Sequence, residues 1–184
     1  IDAKYRGCEL WSIDVPGVRN IKGNQISLGG SRKHEYGERE SYQPGFRWPA
    51  MNFRIYWDGD LQDELLANQG RPHFVPYLQK WNGKKAVPLP LSNGKQLYEM
   101  GHSASCNWSK ATPNLQADLF GDWREEVIYW DDSDASHLNI FTTNIPTEYR
   151  VPTLMHDHIY RMGVAWQNVA YNQPPHLGYY LPDY

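Results

Sequence analysis

Residues 117–130 limit what this chain can fold into more than any other stretch. They open on an acid-rich turn in which Asp118 and Asp122 flank Gly121, a residue that lets the backbone bend sharply. They close on Val127, Ile128, Tyr129 and Trp130, a β-branched and aromatic run that reads as a strand. An acidic turn feeding a buried strand points to a repeated β unit whose turns can hold a hard cation. Clustered carboxylate oxygens suit calcium. The same acids also suit a solvated surface turn.

Composition narrows the class. At 184 residues the chain is one domain by length and can bury a sizeable core. Aromatics are heavy, with 8 Trp and 13 Tyr, which suits all-β folds and sugar-facing surfaces because ring faces pack on apolar sugar faces. A formal charge of −3 argues against nucleic acid, which selects a basic face. No apolar run approaches the ~20 residues of a membrane helix, and no signal peptide opens the sequence. Cys8 and Cys106 lie far apart and read as free thiols, which leaves the compartment open. The opening Ile1-Asp2 lacks Met and starts within what reads as an acidic turn, so the chain reads as a piece of a longer protein.

Short strands recur between Pro and Gly punctuation. Asp2, Gly7 and Glu9-Leu10-Trp11 mirror Asp118, Gly121 and Glu126-Val127-Ile128, a weak internal repeat. Residues 52–57 and 137–143 read as two further strands. The pattern predicts a sandwich, barrel or propeller. One short helix is predicted over residues 59–68, with Leu61, Leu65 and Leu66 on one face and Asp60 as its cap. Residues 28–51 carry Gly29-Gly30 and four cations with little periodicity, and read as a long loop, functional or disordered.

Two runs could carry chemistry. Asn107-Trp108-Ser109-Lys110 groups an amide, a hydroxyl and an ammonium, able to bind sugar hydroxyls or a carboxylate. A desolvated lysine can also act as a base. Residues 165–173, read as a strand, put Trp166, Asn168, Ala170 and Asn172 on one side. The two Asn side chains can offer oxygens to a cation, or satisfy nearby backbone in a turn. Tyr171 could serve as a general acid or base. His156-Asp157-His158 is not a closed zinc set, and structural hydrogen bonding suits it better. Asp58-Gly59-Asp60 is by itself a weak calcium signal. No phosphate-cradling loop or nucleophile elbow is present.

Three long runs resemble one family. Gln116-Ala117-Asp118-Leu119-Phe120-Gly121-Asp122-Trp123-Arg124-Glu125-Glu126-Val127 is similar to a stretch of the rhamnogalacturonan lyases of polysaccharide lyase family 11. So is Pro152-Thr153-Leu154-Met155-His156-Asp157, continuing through Tyr160-Arg161 and Trp166-Gln167-Asn168-Val169-Ala170-Tyr171-Asn172-Gln173-Pro174-Pro175-His176. Tyr56-Trp57-Asp58-Gly59-Asp60-Leu61 with Glu64-Leu65-Leu66 is the third, and residues 1–12 match more loosely. The resemblance implies an all-β fold, an eight-bladed β-propeller that binds several Ca²⁺ ions. About three of its blades lie in this chain, so that residues 1–184 form the C-terminal part of one catalytic domain. It implies cleavage of the rhamnogalacturonan I backbone of pectin by β-elimination at galacturonate, in a secreted or periplasmic bacterial-type enzyme. The remaining N-terminal blades would be the chain's partners, together with the polysaccharide.

By the same resemblance the active-site lysine falls on Lys110 and the tyrosine on Tyr171, with the choice of base left open. Asn107, Trp108 and Ser109 fall on the substrate-contacting run. Trp108 departs from the small residues usual there, so it either stacks on a sugar or blocks the site. Asn168, the Ala170 carbonyl and Asn172 resemble a calcium site, and Glu9 an acidic position near the cleft cation. Asp118 and Asp122 are metal candidates from composition alone, with bracing of the turn as the alternative. The basic loop 28–51 looks longer than in endo-acting relatives, which favours exo-type release. The competing expectation is a non-catalytic carbohydrate-binding or structural propeller fragment, since a third of a ring leaves open sheet edges and can be inactive alone.

Overall fold

The computed structural model describes residues 1–12, 17–27, 53–69, 75–107, 112–167, 169 and 172–184. Within them the chain is mostly sheet. The first sheet is an antiparallel meander of β1 (Glu9–Leu10), β2 (Val18–Asn20) and β3 (Gln25–Ser27). The second is a four-stranded meander of β4 (Phe53–Ile55), β5 (Glu64–Gln69), β6 (Val75–Trp81) and β7 (Ala86–Pro88). The third holds β8 (Ser103–Ala104), β9 (Leu115–Ala117), β10 (Glu126–Asp131) and β11 (Leu138–Phe141).

In the third sheet β8 and β9 both pair with β10, along the edge that β11 leaves free. Ala104 pairs with Trp130 and Leu115 with Ile128. They are two halves of one edge strand, and residues 105–114 connect them.

Helical structure is sparse among the described residues. One α-helix, α1 (His158–Trp166), follows a 3₁₀ turn at Leu154–His156. Asp157 caps α1 by accepting from the Ile159 N–H, so the His-Asp-His triplet is a helix start. Two more 3₁₀ turns lie at Leu97–Glu99 and Leu181–Asp183.

Two apolar clusters organise these parts. Phe53, Ile55, Trp57, Leu66, Leu78 and Leu97 of the second sheet's region meet Val127 and Tyr129 of β10. Trp123, Leu154, Tyr160 and Leu181 pack on Tyr56 and fasten α1 to the sheets. Each fully buried Leu contributes ~1.5–3 kcal/mol, so these contacts rather than the short strands' own propensity hold the sheets.

Two expectations change. Residues 59–68 are not a helix, since Glu64–Gln69 is the strand β5, paired on both sides. Leu65 and Leu66 point to opposite faces and both are buried, so their adjacency marks a strand covered on both faces. Asp60 caps no helix. Residues 165–173 are not one strand either, because α1 runs through Trp166 and Gln167 is its C-cap. The loop 28–51 lies outside the described residues. Cys8 and Cys106 are free, as the sequence suggests.

Candidate functional site

The geometry that the three sheets share starts at a glutamate. Glu9, Glu64 and Glu126 each begin a strand, and each is buried. Each folds one carboxylate oxygen back onto the turn before it. Glu64 Oε2 accepts from the Trp57 and Asp58 N–H groups at 2.8 and 3.0 Å. Glu126 Oε2 accepts from Leu119 and Phe120 at 2.9 and 3.2 Å. Glu9 Oε2 accepts from the Ile1 backbone nitrogen at 2.7 Å.

The other oxygen meets different company in each sheet. Glu126 Oε1 accepts from the Thr142 hydroxyl at 2.9 Å. Glu64 Oε1 accepts from Lys80 Nζ at 3.0 Å. Glu9 Oε1 is buried and without a hydrogen-bond partner. An orphaned carboxylate oxygen costs stability unless something electropositive reaches it, so it fits a cation ligand.

The acidic turn at 118–123 is self-contained. Asp118 Oδ2 accepts from the N–H groups of Trp123 (3.2 Å) and Leu154 (2.8 Å) and from the Thr153 hydroxyl (2.7 Å). Its Oδ1 accepts from the Gly121 N–H at 2.8 Å. Four protein donors match what a carboxylate can accept, and they hold Gly121 and Trp123 at positive φ, 78° and 69°. This geometry is what bracing of the turn requires. Asp122 is half-exposed and ion-paired to Arg124.

Behind that turn lies a buried polar network that the sequence reading missed. Glu125 accepts from Arg54 (2.8 Å), from the Tyr56 N–H (2.9 Å) and from the Tyr160 hydroxyl (2.7 Å). Burial raises the Glu125 carboxyl, against the pull of Arg54. Burial works against the Arg54 charge, and Glu125 and Asp63 more than offset it, so its pKa rises. The partners lie 71 and 35 residues apart along the chain, and no local pattern marks them.

The network continues to the 105–114 loop. Gln167, buried just after α1, pairs with the Gln116 backbone in both directions, at 2.8 and 2.6 Å. The loop itself is pinched where the Cys106 N–H donates to the Thr112 carbonyl at 3.0 Å. Asn172 is buried, and its Nδ2 donates to the Pro113 carbonyl at 2.7 Å. Its Oδ1 is a second buried oxygen without a partner. Pro113 and Asn172 are thereby joined, the one just past the 107–111 run in sequence and the other at the end of the 168–172 run. Trp108, Ser109, Lys110, Asn168, Ala170 and Tyr171 themselves lie outside the described residues. Asn107 is half-buried in the turn that opens the loop.

A separate group of acids could hold a metal ion. Ligand atoms of Asp58, Asp60 and Glu64 lie within 4.8 Å of one another. Lys80 Nζ sits among them, donating to Asp60 at 2.7 Å, Glu64 at 3.0 Å, and Asp58. Burial raises the Glu64 carboxyl, and Lys80 pulls it back. Both Glu64 oxygens already accept, which leaves no partner for a carboxyl proton, so the group is a carboxylate.

Fold and site together define a sheet-built domain with a buried glutamate behind each acidic turn, and the comparisons identify the family. Residues 1–183 match Rhamnogalacturonan lyase family 11, C-terminal domain, and the chain belongs to that family. Rhamnogalacturonan endolyase YesW of Bacillus subtilis (strain 168) is 42% identical over 183 residues, covering 100% of this chain and 24% of the relative. Rhamnogalacturonan exolyase YesX of the same organism is 41% identical over 186 residues, covering 98% of this chain and 27% of the relative. The crystal structures of YesX and YesW superpose on 98% of this chain with TM-scores of 0.75 and 0.71 at 39% and 40% identity. The chain thus spans about a quarter of the length of these relatives. No helix among the described residues is long and apolar enough to cross a membrane.

Proposed function

We propose that this chain is the C-terminal part, residues 1–184, of a rhamnogalacturonan lyase that cleaves the rhamnogalacturonan I backbone of pectin by Ca²⁺-assisted β-elimination at galacturonate. One observation carries the reading for the site. The Asn172–Pro113 hydrogen bond joins the residue that follows Tyr171 in sequence to one shortly after Lys110. The lyase names of the relatives supply the substrate class. Three successive antiparallel sheets support reading the chain as about three blades of an eight-bladed β-propeller, whose other blades lie N-terminal in the full-length protein. A pectin substrate lies outside the bacterial cell, which favours a secreted or periplasmic enzyme.

The chemistry sets what the residues must do. The C5 proton of galacturonate is weakly acidic, and its removal builds negative charge next to the carboxylate. Of Lys110 and Tyr171, one takes the C5 proton. The electron pair forms the C4–C5 double bond as the C4–O bond breaks, and the other residue protonates the departing oxygen. Asn107, Trp108 and Ser109 line the approach, with Trp108 stacking on a sugar face. Asn168, the Ala170 carbonyl and Asn172 would form one oxygen set for Ca²⁺, and Glu9 would contribute to another. The free oxygens of Asn172 and Glu9 fit hard-cation ligation. Bound there, Ca²⁺ supplies the charge that neutralises the uronate carboxylate.

The test is the ultraviolet absorbance of the unsaturated uronate, followed in the full-length enzyme with and without chelator. The reading requires chelator-sensitive product formation that Lys110→Ala abolishes while substrate binding survives. Full activity in Lys110→Ala would refute the assignment. Binding of the polysaccharide without any turnover in the native enzyme would support a non-catalytic binding module instead.

A further inference from the structure

The Asp58, Asp60 and Glu64 group looks like a calcium turn, yet an ammonium already stands in it. Its counterparts in the other two sheets make that position informative. On the strand that follows each strand-opening glutamate, Asn20 pairs with Glu9, while Lys80 and Thr142 lie next to the last paired residues and donate to Glu64 and Glu126. These partners share one register position, one step past the Leu65–Gln79 and Val127–Phe141 pairs in the second and third sheets. Only Lys80 among them brings a charge. Its side chain is under a third exposed, and Glu64 is fully buried.

The ammonium does what a cation would do there. It accounts for the free oxygen of Glu64 and reaches both acids of the turn. The remaining oxygens are used locally. Asp58 Oδ1 accepts from the Asp60 N–H at 3.2 Å, and Asp60 Oδ1 from the Gln62 N–H at 2.8 Å. Three carboxylates against one ammonium leave an excess of negative charge, and the turn would be self-repelling without it.

We propose that Lys80 is the resident cation of the second sheet's acidic turn, so that this turn binds no divalent metal in the native protein and becomes a Ca²⁺ site once the ammonium is removed. The amine delivers one positive charge and three donors on a tether from β6. Ca²⁺ wants six or more oxygens, and the cage offers three carboxylates, so the vacated position would be completed by water. This inference stands apart from the lyase reading, because it concerns a turn that contributes nothing to the chemistry assigned to Lys110 and Tyr171.

The experiment counts metal. Full-length protein, Lys80→Gln and the charge-keeping Lys80→Arg are dialysed against the same free Ca²⁺ and their bound calcium is measured by mass spectrometry. Lys80→Gln should hold one more Ca²⁺ per molecule than the native protein, and Lys80→Arg the native number. Equal numbers in Lys80→Gln and the native protein would overturn the proposal. A second measurement needs no variant. In the native protein, acylation of Lys80 should be about tenfold or more slower than that of the exposed Lys84 and Lys85, because a hydrogen-bonded ammonium presents little free amine. It should be unchanged by Ca²⁺. Labelling of Lys80 that speeds up when Ca²⁺ is added would mean that the metal displaces the amine, and would refute the assignment.

Discussion

Replacing Asp118 by asparagine separates a brace from a metal ligand, because the two roles respond differently to calcium. The amide that Asp118→Asn introduces retains one carbonyl oxygen. Turned to the side that now accepts from Trp123, Thr153 and Leu154, it keeps those three bonds but without charge. A hydrogen bond to a charged group contributes ~1.5–3 kcal/mol and a neutral one ~0.5–1.5, so each of the three loses roughly 1 kcal/mol. The new NH₂ then faces the Gly121 N–H, which loses its acceptor. That residue is exposed and water can partly replace the bond, so this adds about 1 kcal/mol at most. The sum is about 3 kcal/mol of local stability.

The readout is amide hydrogen exchange by mass spectrometry on the full-length protein, over peptides covering 118–130 and 152–160. A local loss of about 3 kcal/mol speeds exchange there by roughly a hundredfold. Distant strands such as Val75–Trp81 should be unaffected. The loss should be the same in excess Ca²⁺ and in chelator. An effect under tenfold, or one that vanishes in chelator, would refute the brace and restore Asp118 as a metal ligand.

Three further outcomes can be measured. Tyr160→Phe removes the hydroxyl that donates to Glu125 and accepts from the Asp118 N–H, leaving two buried groups unpaired. It should cost about 2–4 kcal/mol, read as faster exchange in α1, and exchange within threefold of the native rate would contradict the network. Partial burial and the Arg54 charge hold His176 below its ordinary pKa of 6.5. Its folded value is depressed, so its contribution is fully present above about pH 6.5 and is lost as pH falls below that, which an NMR titration of the His176 ring proton would check. If loop 28–51 walls one end of the cleft, digestion should release short products from the start, and an early ladder of long oligosaccharides would sink that idea. The near-equal identities to an endolyase and an exolyase leave the choice to this assay.

The turn at 118–123 and the strand after it were legible because their signals are local. Gly121 permits the positive φ, and the β-branched and aromatic run supplies a strand that the core then covers. The strands at 53–55 and 138–141 were legible for the same reason. The error at 59–68 was a matter of neighbours. Leu61, Leu65 and Leu66 fit one helical face, but β4 and β6 flank the segment, and a strand covered on both faces loses its alternation. The helix at 158–166 is hidden by its own cap, since His156-Asp157-His158 reads as a hydrogen-bonded triplet without showing that Asp157 starts a helix. Its outward apolar residues, Ile159, Met162 and Trp166, do follow a helical spacing and could have revealed it. The Arg54–Glu125 pair had no such signal.

The internal repeat reaches further than the sequence alone suggested. Asp2 with Glu9 and Asp118 with Glu126 could be matched by eye, and Asp58 with Glu64 completes the set once Glu64 is seen opening β5 rather than sitting in a helix. In all three the glutamate carboxylate, buried at the start of a strand, accepts from the backbone of the turn behind it. That contact fixes how each turn leaves its sheet, so it is structural and can be kept while the facing residue changes. The facing residue then decides what the second oxygen does: a hydroxyl satisfies it at Glu126, an ammonium at Glu64, and at Glu9 it is left without a hydrogen-bond partner. One scaffold thus presents a neutral, a self-neutralised and an open version of the same acidic turn, and the open one is where a metal would add most. Filling it from within should remove that need. Asn20→Lys, which puts an amine at the register position of Lys80, should lower bound calcium by one ion if Glu9 is a ligand, and unchanged calcium content would take Glu9 out of the metal set.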